Sequence, residues 1–236
     1  MIDIHCHLLP AIDDGPASWE ESLELARLLL NEGVETAITT PHWIKGSEWQ
    51  SDSSYVLELV DELNLKLGEE KIPLKVLPGM EIGINENLVE LAKDGKILML
   101  GGGNHILMET PYVSIPYGIK EIIFRLKVSG FEPILAHPER CGEIQSNPKG
   151  LKDIVDSGAL IQVTTSSLLG YFGKRARECA ISLAKDGLVH FVASDAHSPY
   201  KRPPIIKEAI TLLKNVIGEE STRAIEQRGL QIISLS

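Results

Sequence analysis

Apolar positions along the chain follow two alternating rhythms. Val56, Leu59, Val60, Leu63 and Leu67 recur at three and four residues, and so do Ile119, Ile122, Ile123 and Leu126. That spacing puts each set on one face of a helix, where it reads as core packing. Between such stretches lie short runs dense in β-branched and apolar residues: VETAITT, FEPILAHP, ALIQVTT and LVHFVASD. Each run directly follows a glycine, at Gly33, Gly130, Gly158 and Gly187. Glycine suits the left-handed residue that stops a helix. An unbroken apolar run suits a strand covered on both faces. Helix starts agree: Ser18 and Glu21 have capping-box spacing, and Asn147 stands before Pro148 as a cap residue stands before a first-turn proline.

The pattern predicts seven strands, over 2–6, 34–40, 74–80, 105–110, 132–136, 159–165 and 189–194. Strands alternating with helices imply an α/β fold, with a parallel sheet and right-handed crossovers. At 236 residues the chain is about one unit shorter than an eight-fold βα barrel. No linker rich in Ser, Gly or Pro divides it, so 1–236 reads as a single domain. Segment 43–54 (WIKGSEWQSDSS) reads as a loop over one end, and 229–236 as a terminal tail or edge strand.

Charge and cysteine content narrow the partners. The chain has 23 Lys+Arg against 33 Asp+Glu, a net charge of −10. A nucleic-acid coat or a binder of anionic membrane needs the opposite balance. No apolar run reaches the length of a spanning helix, and the start, MIDIH, lacks a signal peptide's basic and apolar regions. Three dispersed cysteines make no disulfide framework. The expectation is a cytoplasmic protein with no nucleic-acid partner and no direct membrane insertion.

Candidate chemistry gathers at the strand ends. The first strand ends in His5-Cys6-His7, whose two imidazoles share a face, leaving Cys6 to the helix layer. Asp13 and Asp14 follow in the first loop. The next strands lead into His42, Glu81, Glu109 and His137, and the last into Asp195 and His197. Six of the seven strands thus offer His, Asp or Glu at the carboxyl end, where barrel enzymes keep their active sites. Charged groups rarely sit at buried strand ends without partners, so the set reads as a metal site. His105 and His190 lie at or within strand starts and receive no function. Asp3 lies a layer deeper than His5, either behind the ligands or as a structural contact.

Five imidazoles and four carboxylates, taking Asp14 rather than Asp13, exceed what one ion can use and fit two or three. Glu81 and Asp195, from opposite sides of the mouth, are the candidate bridges. Three divalent ions outweigh four carboxylates, so the mouth is locally positive and suits a phosphate ester. Arg140, three residues past His137, can fork two phosphate oxygens or pair with Glu139 or Glu143. Arg202, five past His197, is a second candidate. Cysteine-phosphatase chemistry fails, because Ile12, Asn147 and Lys185 stand where its arginine would follow Cys6, Cys141 and Cys179. Gly101-Gly102-Gly103 lacks the residues of a phosphate loop and reads as a turn. Ser166-Ser167 has no His–Asp pair ordered for acyl transfer.

At these residues the chain resembles the polymerase and histidinol phosphatase (PHP) superfamily. Within it, the chain is similar to the bacterial manganese-dependent protein-tyrosine phosphatases of capsule and exopolysaccharide operons. The matching stretches are MIDIHCHLLPAIDDGP, GVETAITTPH, LPGMEI, PILAHPER, LLGYFGKRA and ASDAHSPYKRPP. The resemblance implies a distorted seven-stranded (β/α)7 TIM-like barrel. It implies metal ligands at His5, His7, Asp14, His42, Glu81, Glu109, His137, Asp195 and His197. It implies phosphate contacts from Arg140 and Arg202, and two or three divalent ions, manganese first, with iron or zinc as alternatives. The implied substrate is the phosphotyrosine tail of a membrane-anchored bacterial tyrosine kinase. The chain departs from the pattern at Gly83, at Trp43-Ile44-Lys45, at Thr164-Thr165 and at Cys141, positions of the rim rather than the ligand set. Three other readings are weighed: a small-molecule phosphatase such as one for histidinol phosphate, a metal-dependent amidohydrolase, and a non-catalytic module that binds a kinase tail. Amidohydrolase sites use a bridging Lys or a further His where this chain offers Glu81 and Glu109.

Overall fold

A computed structural model describes residues 1–234. Nine parallel strands form: β1 (Ile2–Cys6), β2 (Thr36–Thr39), β3 (His42–Trp43), β4 (Lys75–Pro78), β5 (Glu81–Gly83), β6 (His105–Glu109), β7 (Glu132–Ala136), β8 (Leu160–Thr164) and β9 (Phe191–Ala193). They make two sheets, ordered β1-β2-β4 and β3-β5-β6-β7-β8-β9. The predicted strands 34–40 and 74–80 appear as β2 and β4, and each is followed by a short further strand, β3 or β5, because the chain breaks and passes from the first sheet into the second. Pro41 has no N–H to give the ladder. Gly79 is pressed so closely that a Cβ there would sit 2.9 Å from Ile38 Cγ2 and 3.0 Å from Leu100 Cδ2.

The ring comes round at the carboxyl ends. Asp195 N donates to His5 O and His7 N to Ala196 O, both at 2.8 Å. Between β4 and β6 the described residues make no ladder. The glycine-rich turn Leu100–Gly102 packs there instead, with Leu100 wholly buried. The barrel is therefore distorted, with an open seam.

Helices cover the strands: α1 (Trp19–Asn31), α2 (Ser53–Glu69), α3 (Leu88–Lys93), α4 (Ile119–Val128), α5 (Gly142–Ser146), α6 (Leu151–Asp156), α7 (Thr165–Leu169), α8 (Lys174–Lys185), α9 (Ile206–Ile217) and α10 (Glu219–Ser234). The five-residue stripe of α2 is buried throughout. In α4, Ile119, Ile123 and Leu126 are buried and Ile122 partly so. Glu21 N donates to Oγ of the cap residue Ser18, and Ala17 N, just before the cap, donates to Glu21 Oε2, so Glu21 closes the start of α1 from both sides. Gly33, Gly130, Gly158 and Gly187 all have positive φ, as a helix stop demands.

The expectation of a tail or edge strand over 229–236 is corrected for 229–234, which continue α10; 235–236 lie outside the described residues. Gly229 is what misleads. It weakens the helical pattern, but its missing side chain lets the helix close on β1, where a Cβ would lie 3.0 Å from Ile2 Cγ2. Ile232 of the same helix is buried with Leu107, Ile134 and Phe191 in a small cluster separate from the main core. No helix among the described residues is long and apolar enough to cross a membrane.

Candidate metal centre

Each site residue arrives from a strand end by a local device. Alternation along β1 sends His5 and His7 to one face, and both are fully buried. Cys6 points away, its Sγ 3.5 Å from Ile38 O. His42 and Glu81 open β3 and β5 side by side in register, directly after the two chain breaks. His137 and Asp195 follow β7 and β9 with φ of 38° and 51°, in the left-handed region that non-glycine residues seldom occupy. Such strain persists where surrounding contacts impose it. Here it falls on two of the candidate residues.

All eleven residues singled out in the sequence lie around one mouth. Three sets of donors lie close enough to share an ion: His7 with Asp14, His42 and His197; His5 with His7 and Glu81; His42 with Glu81 and Glu109. Each pair of sets shares a residue. Glu81 sits at the middle: Oε2 is 3.3 Å from His5 Nε2 and 3.1 Å from His42 Nδ1, and Oε1 is 2.7 Å from His137 Nε2. Asp14 Oδ1 lies 3.4 Å from His42 Nε2 and 3.2 Å from His197 Nε2. Asp13 is not in the mouth. It is buried behind His7, taking Nδ1 at 2.6 Å and the N–H groups of Gly15 and His42, which aims the other ring nitrogen of His7 inward.

The electrostatics split the imidazoles. Burial alone would keep His5 neutral, but Glu81 and Asp195 push it up to about 9. His42, against Asp14, Glu81 and Glu109, is likewise pushed up to about 9 in spite of burial. Burial and the charge of Arg140 draw His137 down to about 4, and burial with His7 nearby draws His197 to about 4. Glu81 is held well below the usual carboxylate range, against burial, by His5 and His137. Glu109 is pushed up by burial and by Glu81.

Asp195 divides its oxygens. Oδ1 faces His5 Nε2 at 3.4 Å and His197 Nδ1 at 3.5 Å. Oδ2 takes Arg140 Nη1 and, at 2.6 Å, Arg202 Nη2. Arg140 pairs with neither Glu139 nor Glu143. Its Nη2 donates to Tyr112 Oη at 2.9 Å, and its guanidinium lies 4.5 Å from the Phe172 ring centroid, with Arg202 at 5.7 Å from the same ring. The cleft above the centre has a volume of about 230 Å³ and is rimmed by Ile44, Trp49 and Tyr112. Trp49, from the loop over 43–54, stacks on His42 at 5.0 Å.

Sequence reading missed four contributors: Gln162, Tyr112, Phe172 and Trp49. Gln162 Oε1 lies 2.9 Å from His5 Nδ1 and fixes which nitrogen faces the mouth. A lone amide in the apolar run ALIQVTT was the signal. The three aromatics come from loops and carried none. Asp3 proves to tie β1 to the end of the neighbouring β9, accepting from Ser194 Oγ and from Ser194 N at 3.0 Å. His105 and His190 lie away from the mouth: His105 meets Phe191 edge-on, and His190 Nδ1 accepts from Ile161 N.

A parallel βα barrel with imidazoles and carboxylates massed at its carboxyl mouth is the layout of metal-centred barrel hydrolases. The fold alone is shared with the lactonase Lmo2620 of Listeria monocytogenes, at TM-score 0.59 and 12% identity. The chain belongs to the capsular polysaccharide synthesis family CpsB/CapC, whose profile matches residues 1–231. It is 40% identical over 220 residues to the tyrosine-protein phosphatase YwqE of Bacillus subtilis, covering 93% of this chain and 86% of that one. Identity to CapC of Staphylococcus aureus is 36% over 208 residues, covering 88% and 81%. A chain from the crystal structures of YwqE and of CpsB from Streptococcus pneumoniae, described as unique metal-dependent tyrosine phosphatases, superposes with TM-score 0.96. It is 37% identical and covers 100% of this chain and 95% of that one.

Proposed function

We propose that this chain is a metal-dependent protein-tyrosine phosphatase acting on the phosphotyrosine tail of a bacterial tyrosine kinase in capsule or exopolysaccharide control. The observation that carries the reading is the three overlapping donor sets beside two arginines that meet on Asp195.

The donors fit divalent cations. His42 Nδ1, Glu81 Oε2, His137 Nδ1 and His197 Nε2 are buried and make no aligned hydrogen bond among the described residues, although His42 Nδ1 lies 3.1 Å from Glu81 Oε2 and His197 Nε2 3.2 Å from Asp14 Oδ1. His5 Nε2 and His7 Nε2 face each other at 3.4 Å. Leaving buried polar atoms unpaired is costly, and a cation coordinated among them removes the cost. His5, His7, Asp14, His42, Glu81, Glu109, His137, Asp195 and His197 would hold two or three ions. Mixed nitrogen and oxygen donors in that number favour manganese, with iron or zinc as alternatives. Bound there, the ions supply Lewis acidity toward phosphoryl oxygens and toward water.

The protein's own groups do the rest. Asp195 ties the ligand cluster to the arginines through its two oxygens. Arg140 and Arg202 present forked donors to the equatorial phosphoryl oxygens, where charge is spread in the transition state. Tyr112 and Phe172 hold those guanidiniums in place from the side. Trp49, Ile44 and Tyr112 line the cleft that receives the aryl ring. The tyrosinate leaving group, with a parent pKa of about 10, departs more readily than an alkoxide and needs little protonation.

The test is turnover of a phosphotyrosine peptide by chelator-treated protein reloaded with Mn²⁺, with histidinol phosphate measured alongside. Peptide turnover restored by metal supports the reading. No peptide turnover with metal shown to be bound overturns it.

A further inference from the structure

Beyond the metal cleft, on the far side of Arg140 and Arg202, lies a second cavity of about 300 Å³. Its lining is Tyr112, Arg140, Gln145, Phe172, Ala176 and Arg202. Three of these residues also line the metal cleft, so the two spaces share one wall. The second cavity is lined by two guanidiniums and no carboxylate, in a chain of net charge −10. Asp195 Oδ2, on the metal side, accepts from both guanidiniums, and the other nearby acids are engaged elsewhere. Glu139 is buried and accepts from Thr164 N at 3.0 Å, and Glu143 accepts from Ile115 N at 2.9 Å.

The edge of the cavity adds to this bias. Ala176 lies in the first turn of α8, whose cap is Gly173 and whose first turn holds Lys174 and Arg175 but no acid. Cations at a helix N-terminus oppose the dipole and cost stability. Arg175 reaches across to Ser146 Oγ at 3.2 Å, beside Gln145 in the opposite wall. Lys174 is exposed, its Nζ 3.7 Å from Glu178 Oε1. Two cations therefore line a cavity adjoining the phosphate cleft, and two more stand beside its edge residue Ala176, on the helix turn where folding alone disfavours them. An anion in the cavity would offset both penalties.

We propose that this cavity is an anion subsite that takes an acidic side chain next to the phosphotyrosine in the substrate peptide. The inference rests on the phosphotyrosine reading above and adds to it a substrate class: peptides with acidic flanks. Tyr112, Arg140 and Arg202 form the wall between the two subsites, with the Phe172 ring against both guanidiniums on the second cavity's side.

The experiment compares two phosphotyrosine peptides, one with Glu on both sides of the phosphotyrosine and one with Ala, together with p-nitrophenyl phosphate, which has no flanks. The Mn²⁺-loaded wild type is set against the double variant K174E/R175E. Acids suit the first turn of a helix, so this variant is expected to fold. The wild type should favour the Glu peptide by about tenfold in kcat/KM, the factor one well-placed ion pair supplies. The preference should shrink as salt is raised. In the variant it should fall below about twofold, with p-nitrophenyl phosphate turnover unchanged. Equal kcat/KM for the two peptides in the wild type, with both turned over, overturns the subsite alone. A preference that survives in the variant overturns the role of α8. Failure to turn over either peptide overturns the phosphotyrosine reading and the subsite with it.

Discussion

Asp195 is the residue on which the chemistry converges, because its oxygens serve two neighbourhoods that must act together. Removing an arginine should therefore separate metal loading from catalysis. Arg140→Ala leaves every candidate ligand in place but deletes a donor aimed at charge that develops on the phosphoryl oxygens. Losses of about 10²–10³-fold in kcat follow from deleting one such donor, with metal content by elemental analysis unchanged. A parallel loss of metal would show that Arg140 is structural. Asp13→Asn tests the opposite case. It weakens the acceptor that fixes the His7 ring, and changes behind a ligand typically cost about 10–100-fold in metal affinity, measurable by competition with a chelator. At this scale the strand-end residues were legible, since alternation and strand endings decide where their side chains go. Asp13 and Asp14 were not distinguishable by composition. They differ only in which way the first loop turns, and that is set by the N–H groups of Gly15 and His42.

The βα elements explain why the site has its shape. Two predicted strands break just before His42 and Glu81, and those breaks let the two residues lie in register. The Gly79 break depends on the missing side chain. Gly79→Ala would press a methyl group onto Ile38 and Leu100, deep in the wall, and overpacking of this kind costs about 1–3 kcal/mol. Urea denaturation of the metal-free protein would register it as a lower midpoint with an unchanged slope. A neutral result would mean that the seam beside Leu100 yields easily. The seven strand positions and the helices between them were legible because glycine stops and apolar runs are local signals. The breaks were not, because they answer to contacts between residues far apart in sequence, as Gly79 does with Ile38 and Leu100. The mid-helix Gly229 misled for the same reason: what it accommodates is β1, at the other end of the chain.

For the molecule as a whole, the ligand cluster makes metal loading and folding one equilibrium. Without metal, His5 and His42 titrate near 9 in the folded chain, against about 6.5 when unfolded. His7 is raised as well, by Asp13 against its burial. A raised folded pKa gives stability that is fully present below about 6.5 and is lost as pH rises through the folded value. The metal-free protein should thus lose stability steadily between pH 6.5 and 8.5. Above that window the buried Cys6 and Cys179, both pushed up by burial, add to the loss. Below it the contributions oppose one another. His137 and His197, near 4, favour the fold as pH rises, while Asp3, Glu109 and Glu139, all raised, disfavour it. The alkaline side is therefore where the sign is clean. Ligating imidazoles must be neutral, so metal binding releases protons and tightens as pH rises. The gap in Tm between Mn²⁺-loaded and chelator-treated protein should widen by several degrees from pH 6.5 to 8.5. Thermal unfolding of both forms across that range measures it. A constant gap would mean that these imidazoles do not carry the metal, and the proposed centre would have to lie elsewhere.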